Sequence, residues 1–218
     1  MAVSNSRDFN LDVIEAIEEA YERCGGEAKT GYSLKSARRS LNIMLAEWAN
    51  RGINLFTIEQ VTTTLTAGTA NYTLGIDTID ILEMVIRRSG TDTSVDRISR
   101  SAYLNLPNKT STGKPSQFFV DRQVNPVLYL WQTPENSTDQ IIYYRLVRID
   151  DADDYTSDFD ILFRLYPCLV AGLAYYLSIK VAPDRATLLK SMYDEEFARA
   201  ASEDRDRSSL QLVPRIIT

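Results

Sequence analysis

The stretch Thr57-Ile58-Glu59-Gln60-Val61-Thr62-Thr63-Thr64-Leu65-Thr66 decides the fold class. Its β-branched side chains crowd a helix but stand free on a pleated strand. The turn-like Ala67-Gly68-Thr69 and a second short strand over Tyr72 to Leu74 follow it. Upstream the periodicity is helical. Ala37, Leu41, Met44, Leu45 and Trp48 share one face of a helix that Gly52 ends, with Ser33 as its expected N-cap. Before it, Asn10 is placed to cap a helix in which Val13, Ile14, Ile17, Ala20, Tyr21 and Cys24 recur at helical spacing, stopped by Gly25 and Gly26. Glu15, Glu18, Glu19 and Glu22 lie on its other face, and the two helices read as a hairpin.

Downstream, Ile79 to Arg88 reads as a strand, with a short buried helix as the alternative at its start. Ser99 to Leu104 can make one helical turn before a polar loop, Lys109 to Ser116. Phe118 to Gln123 and Val127 to Trp131 pair as a hairpin across Val124-Asn125-Pro126. Gln140 to Ile149 is a further strand, with Ile142, Tyr144 and Leu146 on one face and Tyr143, Arg145 and Val147 on the other. From Ser157, with Asp160 completing a capping box, the pattern is helical to about Val181, with a kink expected at Pro167. Pro183 and Asp184 open a last helix carrying Leu189, Met192, Tyr193, Phe197 and Ala200, and Ser208 to Thr218 reads as extended.

The expected class is therefore α+β. N- and C-terminal helices pack together, an antiparallel β-rich domain is inserted between them, and an extended arm follows. The expected segments are residues 1–54 for the helical hairpin, 55–152 for the β-rich domain, 153–207 for the closing helices and 208–218 for the arm.

A chain of 218 residues, 44% hydrophobic and 25% charged, can bury the core of one or two domains. Thirty acids against 24 bases leave a net charge of −6, which disfavours holding nucleic acid by bulk attraction. Met1 to Phe9 lacks the apolar stretch of a signal peptide, and Leu165 to Ile179 is too short to span a bilayer, so neither secretion by that route nor a membrane anchor is expected. Cys24 and Cys168 argue against a disulfide framework and leave open only a lone pair between them.

The sequence has no histidine, which removes the commonest general base and most zinc sites. It also lacks the glycine-rich phosphate-binding patterns. Asp150, Asp151, Asp153, Asp154, Asp158 and Asp160 offer hard-metal oxygens, which keeps a metal-dependent hydrolase as one alternative. The run lacks the glycine and glutamate of a calcium loop and reads better as a solvated loop entering a helix N-terminus.

Basic clusters occur at Lys35, Arg38 and Arg39, at Arg87 and Arg88, and at Arg97 and Arg100 with Tyr103 and Lys109 nearby. They are solvated faces, or they are docking surfaces for an acidic partner or for DNA phosphate, which keeps a DNA-binding module as the other alternative. Tyr129, Trp131, Tyr143 and Tyr144 fit a sheet core better than a base-stacking platform. No catalytic residue, cofactor or metal is expected.

Several strings in order resemble the head-to-tail adaptor proteins of short-tailed bacteriophages, also called tail tubular protein A or packaged-DNA stabilisation proteins. They are Ala37-Arg38-Arg39-Ser40-Leu41-Asn42, Glu47-Trp48-Ala49-Asn50-Arg51-Gly52-Ile53-Asn54-Leu55-Phe56 and Thr69-Ala70-Asn71-Tyr72-Thr73-Leu74. Ile98-Ser99-Arg100-Ser101-Ala102-Tyr103, Pro107-Asn108-Lys109, Gly113-Lys114-Pro115, Tyr129-Leu130-Trp131 and Tyr143-Tyr144-Arg145 continue the likeness, which covers roughly residues 10 to 200.

The resemblance implies a non-enzymatic virion protein at the head–tail junction. It implies a homo-oligomeric ring of twelve copies below the portal, a tail nozzle or tube docked beneath it with tail fibres as a further partner, and DNA passing through without sequence-specific binding. A closed ring needs two different complementary surfaces on each subunit. The expected interface residues are Arg38, Arg39, Arg87, Arg88, Arg97 and Arg100, with Leu210, Leu212, Ile216 and Ile217 of the arm. An arm this apolar gains by packing into a groove of a neighbour or of the portal, or by folding back on its own subunit.

Overall fold

The computed structural model describes residues 9, 11–26, 31–53, 57–153, 156 and 158–204. They form two compact units, one within Met1–Phe56 and Ile149–Thr218 and the other Thr57–Arg148. Helices dominate the first and sheets the second, an α+β fold in which the β unit is inserted between helices.

In the helical unit, α1 (Val13–Cys24) starts at Asp12, whose carboxylate accepts from the Glu15 N–H at 2.8 Å while Glu15 reaches back to the Asp12 N–H. The helix therefore begins two residues later than a cap at Asn10 would place it, and Asn10 lies outside the described residues. Gly25, at φ +80°, ends α1 in the left-handed conformation that glycine adopts without penalty. The second helix, α2 (Gly31–Arg51), already includes Ser33 in its first turn, so Ser33 is not its cap.

The fourth helix, α4 (Tyr166–Val181), is the apolar centre of this unit and starts well after Ser157, itself outside the described residues. Pro167 does not kink it. Proline has no N–H to give, so it is tolerated in the first turn, where that donor has no helical partner anyway. A short 3₁₀ turn (Pro183–Arg185) leads into α5 (Ala186–Glu203).

Ala16, Ile17 and Ala20 of α1, Leu41 and Met44 of α2, Leu169, Leu173 and Leu177 of α4, and Leu189 and Phe197 of α5 fill one core. Each large aliphatic residue fully buried here contributes about 1.5–3 kcal/mol. Among the described residues no helix is long and apolar enough to cross a membrane.

In the β unit, β1 (Ile58–Thr64), β3 (Thr78–Arg88), β4 (Thr91–Ser94) and β10 (Gln140–Val147) make an antiparallel sheet in the order β1-β10-β3-β4. A second sheet has the order β2 (Asn71–Thr73), β8 (Val127–Trp131), β7 (Gln117–Asp121) and β5 (Asp96–Arg97). The β7–β8 hairpin pairs Phe118 with Leu130 and Val120 with Leu128, as its sequence suggests. Strands β1 and β2, although consecutive, lie in different sheets. Two short pairings are parallel: β5 with β7, and β6 (Thr112–Gly113) with β9 (Thr133–Pro134). The one-turn helix α3 (Arg100–Leu104) is capped by the Ser99 hydroxyl, which accepts from the Ala102 N–H.

Ile81, Met84, Ile86, Ile141 and Tyr143 of the first sheet and Phe118, Val120, Leu128 and Leu130 of the second share one core. The face of β10 that carries Tyr143 turns inward although it includes Arg145. Register shifts after Tyr144 and Leu146 mark where β3 carries an extra residue, and Tyr144, on the opposite face of β10, is exposed.

Gly172 sits at a close approach of the helices. A Cβ there would come within 2.5 Å of Met44 Sδ and 2.7 Å of the Tyr193 ring. Gly172→Ala is therefore expected to destabilise the helical unit by about 1–3 kcal/mol despite alanine's better helix propensity, read as a lowered unfolding midpoint.

Candidate interaction surfaces

Arg87, Arg88, Arg97 and Arg100 of the β unit have partners inside it. Arg87 makes two 2.6 Å hydrogen bonds to Asp92 across the β3–β4 hairpin. These bonds raise the Arg87 pKa and lower that of Asp92. Arg88 forks onto Asp139, whose side chain is 2% exposed, at 2.6–3.0 Å and also meets Glu135 at 2.8 Å. Arg97 donates to Asp80 at 2.8 Å and to the Ile81 carbonyl at 3.0 Å. Arg100 pairs with Asp121 at 2.7 Å.

Arg97, Arg100 and Arg122 border a groove of about 680 Å³ with Ser99 and Phe119. Asp80 and Asp121 offset most of its positive charge. Arg145, which local sequence does not single out, bridges Glu59 and Asp77 at 2.9 Å. Its only readable signal is an arginine on the inward alternation of an apolar strand.

The aromatic residues are structural contacts. Tyr129 stacks with Phe119 and meets Tyr103, Trp131 Nε1 donates to the Asn108 carbonyl at 2.8 Å, and Tyr143 lies in the core.

On the helical unit, the loop that holds the acidic run is tied to α2. Arg38 donates to the Asp153 carbonyl, and the Asn42 side chain accepts from the Ala152 N–H at 2.9 Å. Asp150, Asp151 and Asp153 are exposed, and Asp154 lies outside the described residues. The run does not enter a helix N-terminus as expected, because Pro167 delays the start of α4 to Tyr166 and its first turn contains no acid. Among the described residues no three His, Cys, Asp or Glu side chains gather as a metal site.

Both cysteines are buried free thiols. Cys24 donates to the Ala174 carbonyl, and burial pushes Cys168 up to about 12, which keeps it protonated.

A polar network joins α2, α4 and α5 through Glu47. Tyr176 donates to the Glu47 carboxylate at 2.8 Å and Tyr193 at 3.4 Å, while Trp48 Nε1 donates to the Tyr193 hydroxyl at 3.0 Å. Arg51 adds a 3.6 Å ion pair to Glu47 and lies over the Phe197 ring.

Two further surfaces of the helical unit differ in their prevailing sign of charge. Lys35 and Arg39 stand exposed on α2, with Lys180 of α4 reaching Ser36 and Ser40 alongside. Glu15, Glu18 and Glu22 of α1 border a groove of about 570 Å³ with Leu11, Tyr166 and Val170. The arrangement offers surfaces for association.

A family model described as SU10 adaptor protein matches residues 11–215, across both units. The chain belongs to the SU10 adaptor family. This is a family of phage head–tail adaptors, so the protein is a structural phage adaptor. No curated protein matches the chain. Of the interface residues read from the sequence, Arg38 and Arg39 lie on α2 of the adaptor's helical unit and Arg87, Arg88, Arg97 and Arg100 in its β unit. Leu210, Leu212, Ile216 and Ile217 lie outside the described residues.

Replacing Arg88 with Ala strands a buried carboxylate and is expected to destabilise the adaptor's β unit by about 2–3 kcal/mol in urea unfolding. Arg87→Ala, removing an exposed and solvent-screened pair, should shift the urea midpoint far less than Arg88→Ala does.

A second expectation concerns pH. Burial, then the hydrogen bond to Glu47, pushes the Tyr176 hydroxyl from 10.0 up to about 12. The folded state holds this proton after the unfolded chain has lost it, so the stability involved is complete below pH 10 and is lost as pH rises toward about 12. Thermal unfolding between those limits should fall less steeply for Tyr176→Phe than for the parent.

Proposed function

We propose that this adaptor assembles with copies of itself into a ring of twelve beneath the phage portal. The ring extends the DNA channel, helps retain packaged DNA and presents a docking surface for the tail nozzle or tube. The observation that carries this reading is the family match over residues 11–215, which takes in both the helical unit and the inserted β unit. The place of action is the virion, at the head–tail junction, and no catalytic step is involved.

Two physical features support the reading. Unlike faces of opposite charge on one subunit suit the heterologous contacts from which cyclic rings are closed. A net charge of −6, with Arg87, Arg88, Arg97 and Arg100 engaged by carboxylates, suits a wall past which duplex DNA slides rather than sticks. Arg38, Arg39, Arg87, Arg88, Arg97 and Arg100, with Leu210, Leu212, Ile216 and Ile217, are the residues proposed for contacts to neighbours or to the portal.

Electron microscopy of the protein mixed with its portal tests the reading directly. A second, coaxial ring is expected. A portal that stays bare overturns the proposal, as does an isolated subunit that retains duplex DNA strongly and salt-dependently. Deleting Ser208 to Thr218 should weaken ring or portal association, and unchanged assembly would remove the arm from the proposal.

A further inference from the structure

The helical unit carries two exposed faces of opposite charge near the two ends of α4. At one end, Glu18 and Glu22 stand one turn apart on α1. Glu19 is held by Arg23 and Glu15 by the Asp12 N–H, but Glu18 and Glu22 have no ion-pair partner among the described residues. Their groove is floored by apolar atoms of Leu11, Tyr166 and Val170. Two residues before Leu11, Phe9 stacks on Phe163 with ring centroids 5.4 Å apart, and both rings remain more than half exposed.

Near the other end, Lys35 and Arg39 stand one turn apart on α2, also without an ion-pair partner among the described residues. Ile43, exposed, continues their stripe by another turn. Lys180 closes the patch from the C-terminal end of α4, flanked by the exposed Ile179 and Val181. The acidic groove borders Tyr166, Pro167 and Val170 at the N-terminal end of α4, and Lys180 stands about 20 Å along the helix from Pro167. Each face combines exposed apolar surface with a predominance of one sign of charge, the acidic groove containing one base, Arg23, which Glu19 engages; this is the composition by which association sites exclude water and select partners.

We propose that the acidic groove of α1 and the N-terminal end of α4 receives the basic α2 face, Lys35 and Arg39, of a second copy of this chain. This deepens the ring reading and rests on it. Like charges one turn apart repel within each helix, and the contact gives each pair its counter-ions. The faces differ, so one copy offers its basic face onward while its acidic groove is filled, the head-to-tail relation that closes into a ring. A nucleic-acid partner would engage the basic face alone and leave the acidic groove without a role.

The test uses two charge-reversed forms of the full chain, Glu18→Lys with Glu22→Lys, and Lys35→Glu with Arg39→Glu. All four side chains are exposed or half-buried at the surface, and circular dichroism establishes that each form folds. Self-association is measured by sedimentation velocity, with and without the portal. Each form alone should associate at least about tenfold more weakly than the parent, because both of its faces now carry one sign. An equimolar mixture should recover association, since every contact between the two forms is again between opposite charges.

Unchanged association of both forms overturns this interface and leaves the ring reading standing. A loss that mixing does not restore also overturns it, as does a loss of portal binding with self-association intact. A parent chain that does not associate in either preparation removes this interface and the ring reading together.

Discussion

A helix that is apolar around its whole circumference has no side to give to water. In α4, residues Cys168 to Ala174 are buried without interruption, with Leu177 and Ser178 beyond them. Burying that length needs helices on several sides, and α1, α2 and α5 supply them. Two of these precede the β unit in the chain and one follows α4, so covering α4 draws the beginning and the end of the sequence together. The β unit is then an insertion that folds around its own core. Gly172 allows a close approach, and Glu47, with the tyrosines and Trp48 around it, brings polar groups into the seam only where each has a partner.

The two units treat their charges differently. In the β unit, strand pairing brings an acid opposite or beside each prominent arginine, as when the β3–β4 hairpin sets Asp92 against Arg87. The loop before β10 brings Asp139 and Glu135 to Arg88. These pairs link segments as far apart in sequence as Arg145 and Glu59, and they hold sheet edges and loops in place. An arginine engaged in this way has less to offer a partner than its position in a basic cluster suggests.

Much of the fold was legible because it rests on short-range periodicity. The stripe from Ala37 to Trp48, the β-branched run at Thr57 to Thr66 and the hairpin around Pro126 all carry their periods openly. Helix starts were less legible. Asn10, Ser33 and Ser157 are all chemically able to cap, and the choice depends on where the chain enters the core, which selected Asp12 for α1 and a start beside Pro167 for α4. Beyond the β7–β8 hairpin, which strand pairs with which was not legible: β1 and β2 follow each other in sequence yet join different sheets, since β10 and β8 arrive from far along the chain. The bulge beside Tyr144 and the acids that engage each arginine are equally non-local.

One part of the site was within reach of local reasoning. On a helix, a charge finds partners three and four residues away. Glu19 has Arg23, Glu47 has Arg51, and Glu195 and Glu196 have Arg199. Lys35 has only Gly31, Tyr32, Arg38 and Arg39 at those offsets, and Arg39 only Lys35, Ser36, Asn42 and Ile43. Glu18 has Ile14, Glu15, Tyr21 and Glu22, and Glu22 has Glu18, Glu19 and two glycines. No acid is available to the first two and no base to the second two. A basic cluster in a strand and one on a helix look alike as sequence. The strand's partners come from across the sheet and the helix's from its own surface, so a helical charge with like neighbours at both offsets depends on another element, or another copy, for its counter-ion.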